Sequence, residues 1–140
     1  LGALALSQLK KVEWMNALRA KHAAYLGAGL KDIDGLQLPH MSPDVEPNWS
    51  LYTIRVPEAH LLRITDALNG EGIGCNTHYH PLHINSYYKT MARNSDDAFP
   101  NSDRVYRTLL RLPMYPQLNT EELDHIIAAV KKVFANLQSR

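Results

Sequence analysis

Residues 119–134 carry the strongest folding instruction in this chain. Asn119 stands three residues before Glu122, the spacing at which an amide oxygen and a carboxylate close a capping box around a first helical turn. Leu123, Ile126, Ile127, Val130 and Phe134 then recur at helical spacing, which predicts an amphipathic helix with one face committed to a core. Such a helix cannot bury its stripe alone, so the rest of the chain must supply a partner layer.

The upstream segments alternate in type. From Leu1 to Leu26 the chain is rich in helix formers and free of Pro. Leu6, Leu9, Val12, Leu18 and Tyr25 are interleaved there with Lys10, Lys11, Glu13, Arg19 and Lys21, which predicts an amphipathic helix stopped by Gly27 and Gly29. Gly35, Pro39, Pro43 and Pro47 mark residues 30–48 as an extended surface connection. Trp49–Val56 reads as a half-buried strand, with Tyr52, Ile54 and Val56 alternating against Leu51, Thr53 and Arg55. Pro57-Glu58 opens a helix whose apolar face is Leu61, Leu62, Ile64, Ala67 and Leu68, ended by Asn69-Gly70. Gly72–Tyr79 reads as a short strand broken by Gly74, and residues 81–93 as loop with a short helix around Tyr87 and Tyr88. Pro100–Leu110 is expected to be helical and Arg111–Pro113 to be a short edge strand. This order predicts an α+β fold with a small antiparallel sheet of about three strands packed with helices.

Composition then removes several function classes. Fifteen Lys and Arg against fourteen Asp and Glu leave a net charge of +1, so no strong field toward nucleic acid is implied. One cysteine, Cys75, excludes an internal disulfide framework and a Cys-rich zinc module, and points to a reducing, cytoplasmic setting. No run approaches the ~20 apolar residues of a membrane-spanning helix, so no membrane partner is expected. Leu1-Gly2-Ala3-Leu4 lacks an initiator Met and a basic flank, which is not the pattern of a signal peptide. It reads as a chain that begins inside a helix.

The densest polar cluster is Cys75-Asn76-Thr77-His78-Tyr79-His80-Pro81-Leu82-His83. Were Thr77–His80 extended, His78 and His80 would share a face and His83 could join them at a metal. No Asp or Glu follows His83 within ten residues to complete a carboxylate-rich site, and contact between these histidines and a substrate is the better reading. Cys75 lacks an orienting group for nucleophilic work and reads as a small buried thiol. Arg104, Arg107 and Arg111 could form an anion site, yet their spacing of three and four fits a solvated helix face better. The glycines at 70, 72 and 74 do not make a phosphate loop.

Taken in order, these motifs resemble one family. Gly72-Ile73-Gly74, His78-Tyr79-His80-Pro81-Leu82-His83, Tyr87-Tyr88, Phe99-Pro100, Arg111-Leu112-Pro113-Met114-Tyr115-Pro116 and Asn119-Thr120-Glu121-Glu122 follow the C-terminal run of the DegT/DnrJ/EryC1/StrS sugar aminotransferases. Leu6-Ser7-Gln8-Leu9-Lys10-Lys11 and Arg19, Tyr25 and Leu26 are similar to that family's upstream segment. The resemblance implies a fold-type I enzyme using pyridoxal phosphate, with residues 1–30 as a long interdomain helix and 31–140 as the small C-terminal α+β domain. The abrupt start at Leu1 then looks like a cut through a longer chain. Such a parent would be a homodimer that moves an amino group, usually from glutamate, to a keto sugar carried on a nucleotide. A sugar dehydratase of the same family, a stand-alone histidine-cluster domain binding a metal or anion, and a dimerisation module using the Leu1–Leu26 helix are the alternatives. No lysine of this chain stands in a context resembling the family's Schiff-base motif, so the chain alone is expected to be inactive, with no catalytic residue, metal or cofactor of its own. The resemblance places His83 first, then His78 and Tyr79, against substrate or cofactor, with Asn76 and Cys75 tuning sugar choice.

Overall fold

The computed structural model describes residues 2–91 and 99–138. Two antiparallel strands, β1 (Tyr52–Arg55) and β2 (Leu109–Leu112), make the sheet, with Tyr52 opposite Leu112, Thr53 opposite Arg111 and Ile54 opposite Leu110. Tyr52, Ile54, Leu110 and Leu112 are buried while Thr53, Arg55, Leu109 and Arg111 are half-buried. That alternation is what one face on a core and one face open imposes. Six α-helices are described: α1 (Gly2–Leu9), α2 (Val12–Leu30), α3 (Leu61–Gly70), α4 (Ser86–Met91), α5 (Pro100–Tyr106) and α6 (Thr120–Gln138). Single 3₁₀ turns at Glu58–His60 and Leu82–Ile84 precede α3 and α4.

The capping box forms as the spacing requires. Glu122 N–H donates to Asn119 Oδ1 at 2.9 Å, and Asn119 N–H donates to Glu122 Oε2 at 2.8 Å. Leu123, Ile126, Val130 and Phe134 are buried and Ile127 is packed against them, so α6 is the spine on which α2 and α3 lie. Asn119→Ala is therefore expected to cost about 1 kcal/mol of stability, read from urea unfolding of the protein.

Five expectations need correction. The N-terminal helix is two helices, parted at Lys10–Lys11, where Lys11 N–H bonds Gln8 O at 2.9 Å. Nothing in the residues at that break explains it. Its second half runs through Gly27 and Gly29 to Leu30, because Gly29 is where α2 meets α6: a Cβ there would lie 2.9 Å from Ile127 Cγ1. The buried face is His22, Ala23, Leu26 and Leu30, whereas Leu6, Leu9 and Tyr25 are exposed. Among the described residues the sheet has two strands rather than about three, since Gly72–Tyr79 contributes the isolated bridge Asn76–Arg111 and no strand. Finally, α5 stops at Tyr106 and β2 begins at Leu109, four residues before Pro113, because the buried pair Leu110 and Leu112 follows a strand period. The expected loop over residues 81–93 holds α4 as expected; Leu1, Ala92 and Arg93 lie outside the described residues.

Candidate functional site

The histidine loop is launched from the end of α3 by local chemistry. Gly72, at φ +81°, reverses the chain, with Ile73 N–H bonding Leu68 O at 2.9 Å and Gly72 N–H bonding Asn69 O at 3.0 Å. This is the paired bond pattern of a glycine-ended helix, and the apolar contact it calls for is met by buried Leu68 and Ile73. Asn69 then holds the next segment: its amide donates to Cys75 O at 3.3 Å and accepts from Cys75 N–H at 3.1 Å. On the opposite edge Arg111 N–H donates to Asn76 O at 2.9 Å. A side-chain amide on one side and a strand on the other replace the missing third strand.

Beyond Asn76 the site residues separate. The His78 and Tyr79 rings stack with centroids 4.6 Å apart, whereas His80 meets the edge of Tyr106 at 5.5 Å. His78, Tyr79 and Pro81 wall one side of a 420 Å³ cleft whose other side is α5, through Asn101, Ser102, Val105 and Tyr106. Tyr79 is 74% exposed, so its phenol is available to anything entering there. His83 is placed differently. Its Nε2–H donates to Asp103 Oδ1 at 2.8 Å and its ring lies 4.9 Å from Phe99, which fastens the 3₁₀ turn Leu82–Ile84 to α5. Because the carboxylate takes Nε2–H, the neutral ring presents Nδ1 as an acceptor.

Asn76 is exposed at the loop's base, on the open face of the sheet, and Cys75 points the other way into the core. The Cys75 thiol lies 3.6 Å from Thr65 O. Burial, with Asp66 adding to it, pushes the thiol from 9.0 up to about 11. The thiol form is thus favoured by folding; the stability this contributes is complete below about 9 and is lost as pH climbs through about 11. Native protein at pH 8 should resist iodoacetamide at Cys75, and denatured protein should react readily; rapid native labelling would contradict this placement.

Sequence reasoning missed Asp103 and Asn69, and it missed the α5 wall of the cleft. Asp103 lies twenty residues from its partner, and no spacing rule links them. The three arginines expected on one helix face are dispersed: Arg104 bonds Asn101 at 3.2 Å, Arg107 bonds Glu58 at 3.3 Å, and Arg111 lies on β2. Among the described residues no group of three or more His, Cys, Asp or Glu is placed to hold a metal ion. No described helix is long and apolar enough to cross a membrane. A larger groove of 680 Å³ between α3 and α6 is lined by Arg63, Asp66, Glu71 and Lys132. Its charges satisfy one another in part, with Lys132 on both Glu71 oxygens at 2.7 and 2.9 Å.

Residues 1–131 match the DegT/DnrJ/EryC1/StrS aminotransferase family. The spore coat polysaccharide biosynthesis protein SpsC of Bacillus subtilis (strain 168) is 32% identical over 136 residues, which are 94% of this chain and 35% of that protein. The crystal structure of S. venezuelae DesV, solved with a ketimine intermediate, superposes with a TM-score of 0.87 at 28% identity, over 94% of this chain and 35% of that one. Helicobacter pylori PseC, an aminotransferase of pseudoaminic acid biosynthesis, gives a TM-score of 0.83 at 25% identity, covering 96% of this chain and 36% of its own. The chain thus spans about a third of the length of the relatives it matches.

Proposed function

Because this chain belongs to the DegT/DnrJ/EryC1/StrS aminotransferase family, we propose that it is the C-terminal part of a cytoplasmic, pyridoxal phosphate-dependent enzyme. That enzyme transfers an amino group, from glutamate, to a keto sugar linked to a nucleotide. The observation that carries the reading is the family match over residues 1–131, a range that includes the His78–His83 loop and its α5 wall. Residues 1–30 serve as the interdomain helix and residues 31–140 as the small domain. Leu4, Leu6, Leu9 and Trp14, all more than half exposed, give the first of these an apolar surface suited to the rest of a homodimeric enzyme.

Pyridoxal phosphate supplies an electron sink for carbon–nitrogen chemistry and is held through a lysine amine. The donor set here does not fit that anchoring role. All seven lysines are exposed, and Lys132, which lines the groove between α3 and α6, is ion-paired with Glu71. The anchoring lysine is assigned to the two thirds of such a protein that this chain does not span. What these residues do is bind and orient. Tyr79 offers an exposed ring, His78 stacks against it, and His83, held by Asp103 through Nε2, keeps Nδ1 as the ring atom left to accept from a sugar hydroxyl. Asn76, exposed at the base of the loop, is assigned to sugar choice, and Cys75, buried in the core, acts on it only through the backbone they share.

The test is direct. The full-length protein, given glutamate and a nucleotide-linked keto sugar, should release 2-oxoglutarate and an amino sugar and should show a lysine-linked cofactor absorbance. The 140-residue chain mixed with pyridoxal phosphate should show no such band. Loss of water from the sugar without uptake of nitrogen would replace this reading with the dehydratase one, and a lysine-linked band on the short chain would overturn the assignment of the anchoring lysine.

A further inference from the structure

Seven residues separate Cys75 from His83, and the chain between them is held from its two ends. Among the described residues, Thr77 to His80 make no backbone hydrogen bond. Where His78 and Tyr79 stand across the cleft from α5 is therefore decided by the supports of the loop. The far support is the His83–Asp103 pair. The near one is a side chain, Asn69 on the last turn of α3, in the place that a neighbouring strand would take.

Asn69 meets both backbone groups of one residue. Its Oδ1 accepts from Cys75 N–H at 3.1 Å, and its Nδ2 donates to Cys75 O at 3.3 Å. A residue in an antiparallel ladder exchanges the same two bonds with its partner, and a carboxamide carries both groups on one plane. Cys75 is also held through its thiol, which lies 3.6 Å from Thr65 O, one turn earlier on α3. On the other side Arg111 N–H donates to Asn76 O at 2.9 Å, so consecutive residues are tied to α3 and to β2. Among the described residues, no other side chain hydrogen-bonds residues 73–76. Asn69 is exposed, and asparagine is a poorer helix former than alanine or leucine, so neither burial nor helix propensity calls for it here.

We infer that Asn69 is a positioning residue for the nucleotide-linked sugar. It sets where the base of the histidine loop sits between α3 and β2, and through that base where His78 and Tyr79 meet the ligand. It acts through Cys75 and Asn76, not by contact with the sugar. The identity of the ligand rests on the aminotransferase reading, whereas the placement of the loop rests on geometry alone.

Two measurements on the full-length protein test it. The first is amide hydrogen exchange, which needs no substrate. In Asn69→Ala, Cys75 N–H and Arg111 N–H should both exchange at least about tenfold faster, because Asn76 O, the partner of the second, moves with the base. Ile73 N–H, bonded to Leu68 O, should keep its wild-type rate and show that the end of α3 is intact. Asn69→Leu, close in volume but without the amide, should match Asn69→Ala. Asn69→Asp keeps the acceptor, loses the donor and should fall between. An unchanged Arg111 amide would mean that the sheet edge alone holds the base, and a faster Ile73 amide would make Asn69 a helix cap. Either result overturns the proposal, as does an Asn69→Leu protein with wild-type rates.

The second measurement separates the two substrates. UDP-, dTDP- and GDP-linked keto sugars are offered with glutamate, and the one that the wild-type protein aminates serves as the probe. Asn69→Ala should raise its KM about tenfold, with kcat and the KM for glutamate within about twofold, and Asn69→Asp should recover part of the loss. A sugar KM that does not move, or equal rises in both KM values, overturns the role in sugar binding. Failure of the wild-type protein to aminate any of the three counts instead against the aminotransferase reading, and the exchange rates still decide whether Asn69 places the loop.

Discussion

Asp103→Ala is expected to raise the KM for the nucleotide-linked sugar at least about tenfold in the full-length protein and to loosen the turn that carries His83. The reasoning starts from one short bond, His83 Nε2 to Asp103 Oδ1 at 2.8 Å, between side chains only 12% and 18% exposed. A hydrogen bond to a charged acceptor is worth about 1.5–3 kcal/mol, which is roughly a tenfold to hundredfold change in the docking of the turn onto α5. Among the described residues, the ring contact with Phe99 is the other interaction of His83 that ties the turn to that side. Ile84 N–H and Asn85 N–H, bonded to Pro81 O and Leu82 O, report the docking independently through hydrogen exchange. Both amides should exchange faster in Asp103→Ala, and Asp103→Asn, which keeps an acceptor oxygen, should recover part of the loss. Unchanged exchange would mean that the pair holds nothing. Faster exchange with an unchanged KM would mean that the turn is structural and His83 does not face the sugar.

How much of this was legible in the residues follows from the range of the interactions involved. α6 and β1 were readable because a capping box and a period-two alternation are written within a few positions. The strand Tyr52–Arg55 with Tyr52 and Ile54 inside is the predicted pattern. The role of Gly29 was not readable, since a glycine that ends a helix and a glycine that lets another helix approach look alike until the second helix is in place. The third strand failed for a related reason. Residues 73–76 alternate buried and exposed as a strand does, but the partner on one edge is the Asn69 side chain rather than a backbone. Arg111 carried two readings, the start of the strand Arg111–Pro113 and, by its spacing from Arg104 and Arg107, part of a helix face; the strand reading holds, because helix α5 ended earlier than Pro100–Leu110 suggested and a strand period took over at Leu109. The loop residues His78, Tyr79 and His83 were found as a cluster, whereas their supports on α3 and α5 were not, since supports are defined only by folding.

Gly29→Ala offers the sharpest check on the packing that holds this arrangement together. In a solvent-facing helix interior, replacing glycine by alanine stabilises by roughly 0.5–1 kcal/mol, because the unfolded chain loses freedom. Here the sign should reverse. The new Cβ would press on Ile127, whose Cγ1 and Cγ2 lie 2.9 and 3.2 Å from that position, and α2 and α6 would have to part. Overpacking of this kind costs about 1–3 kcal/mol, and Gly29→Leu should exceed Gly29→Ala. The double mutant separates clash from propensity. With Ile127→Ala in place the obstruction is gone, and Gly29→Ala should then regain its ordinary stabilising sign, read by urea unfolding as a coupling between two contacting positions. A stabilising Gly29→Ala in the wild-type background would place the helices farther apart than described. It would also undo the reason for which α2 continues past two glycines, and with it the seat on which α6 carries α3, Asn69 and the base of the histidine loop.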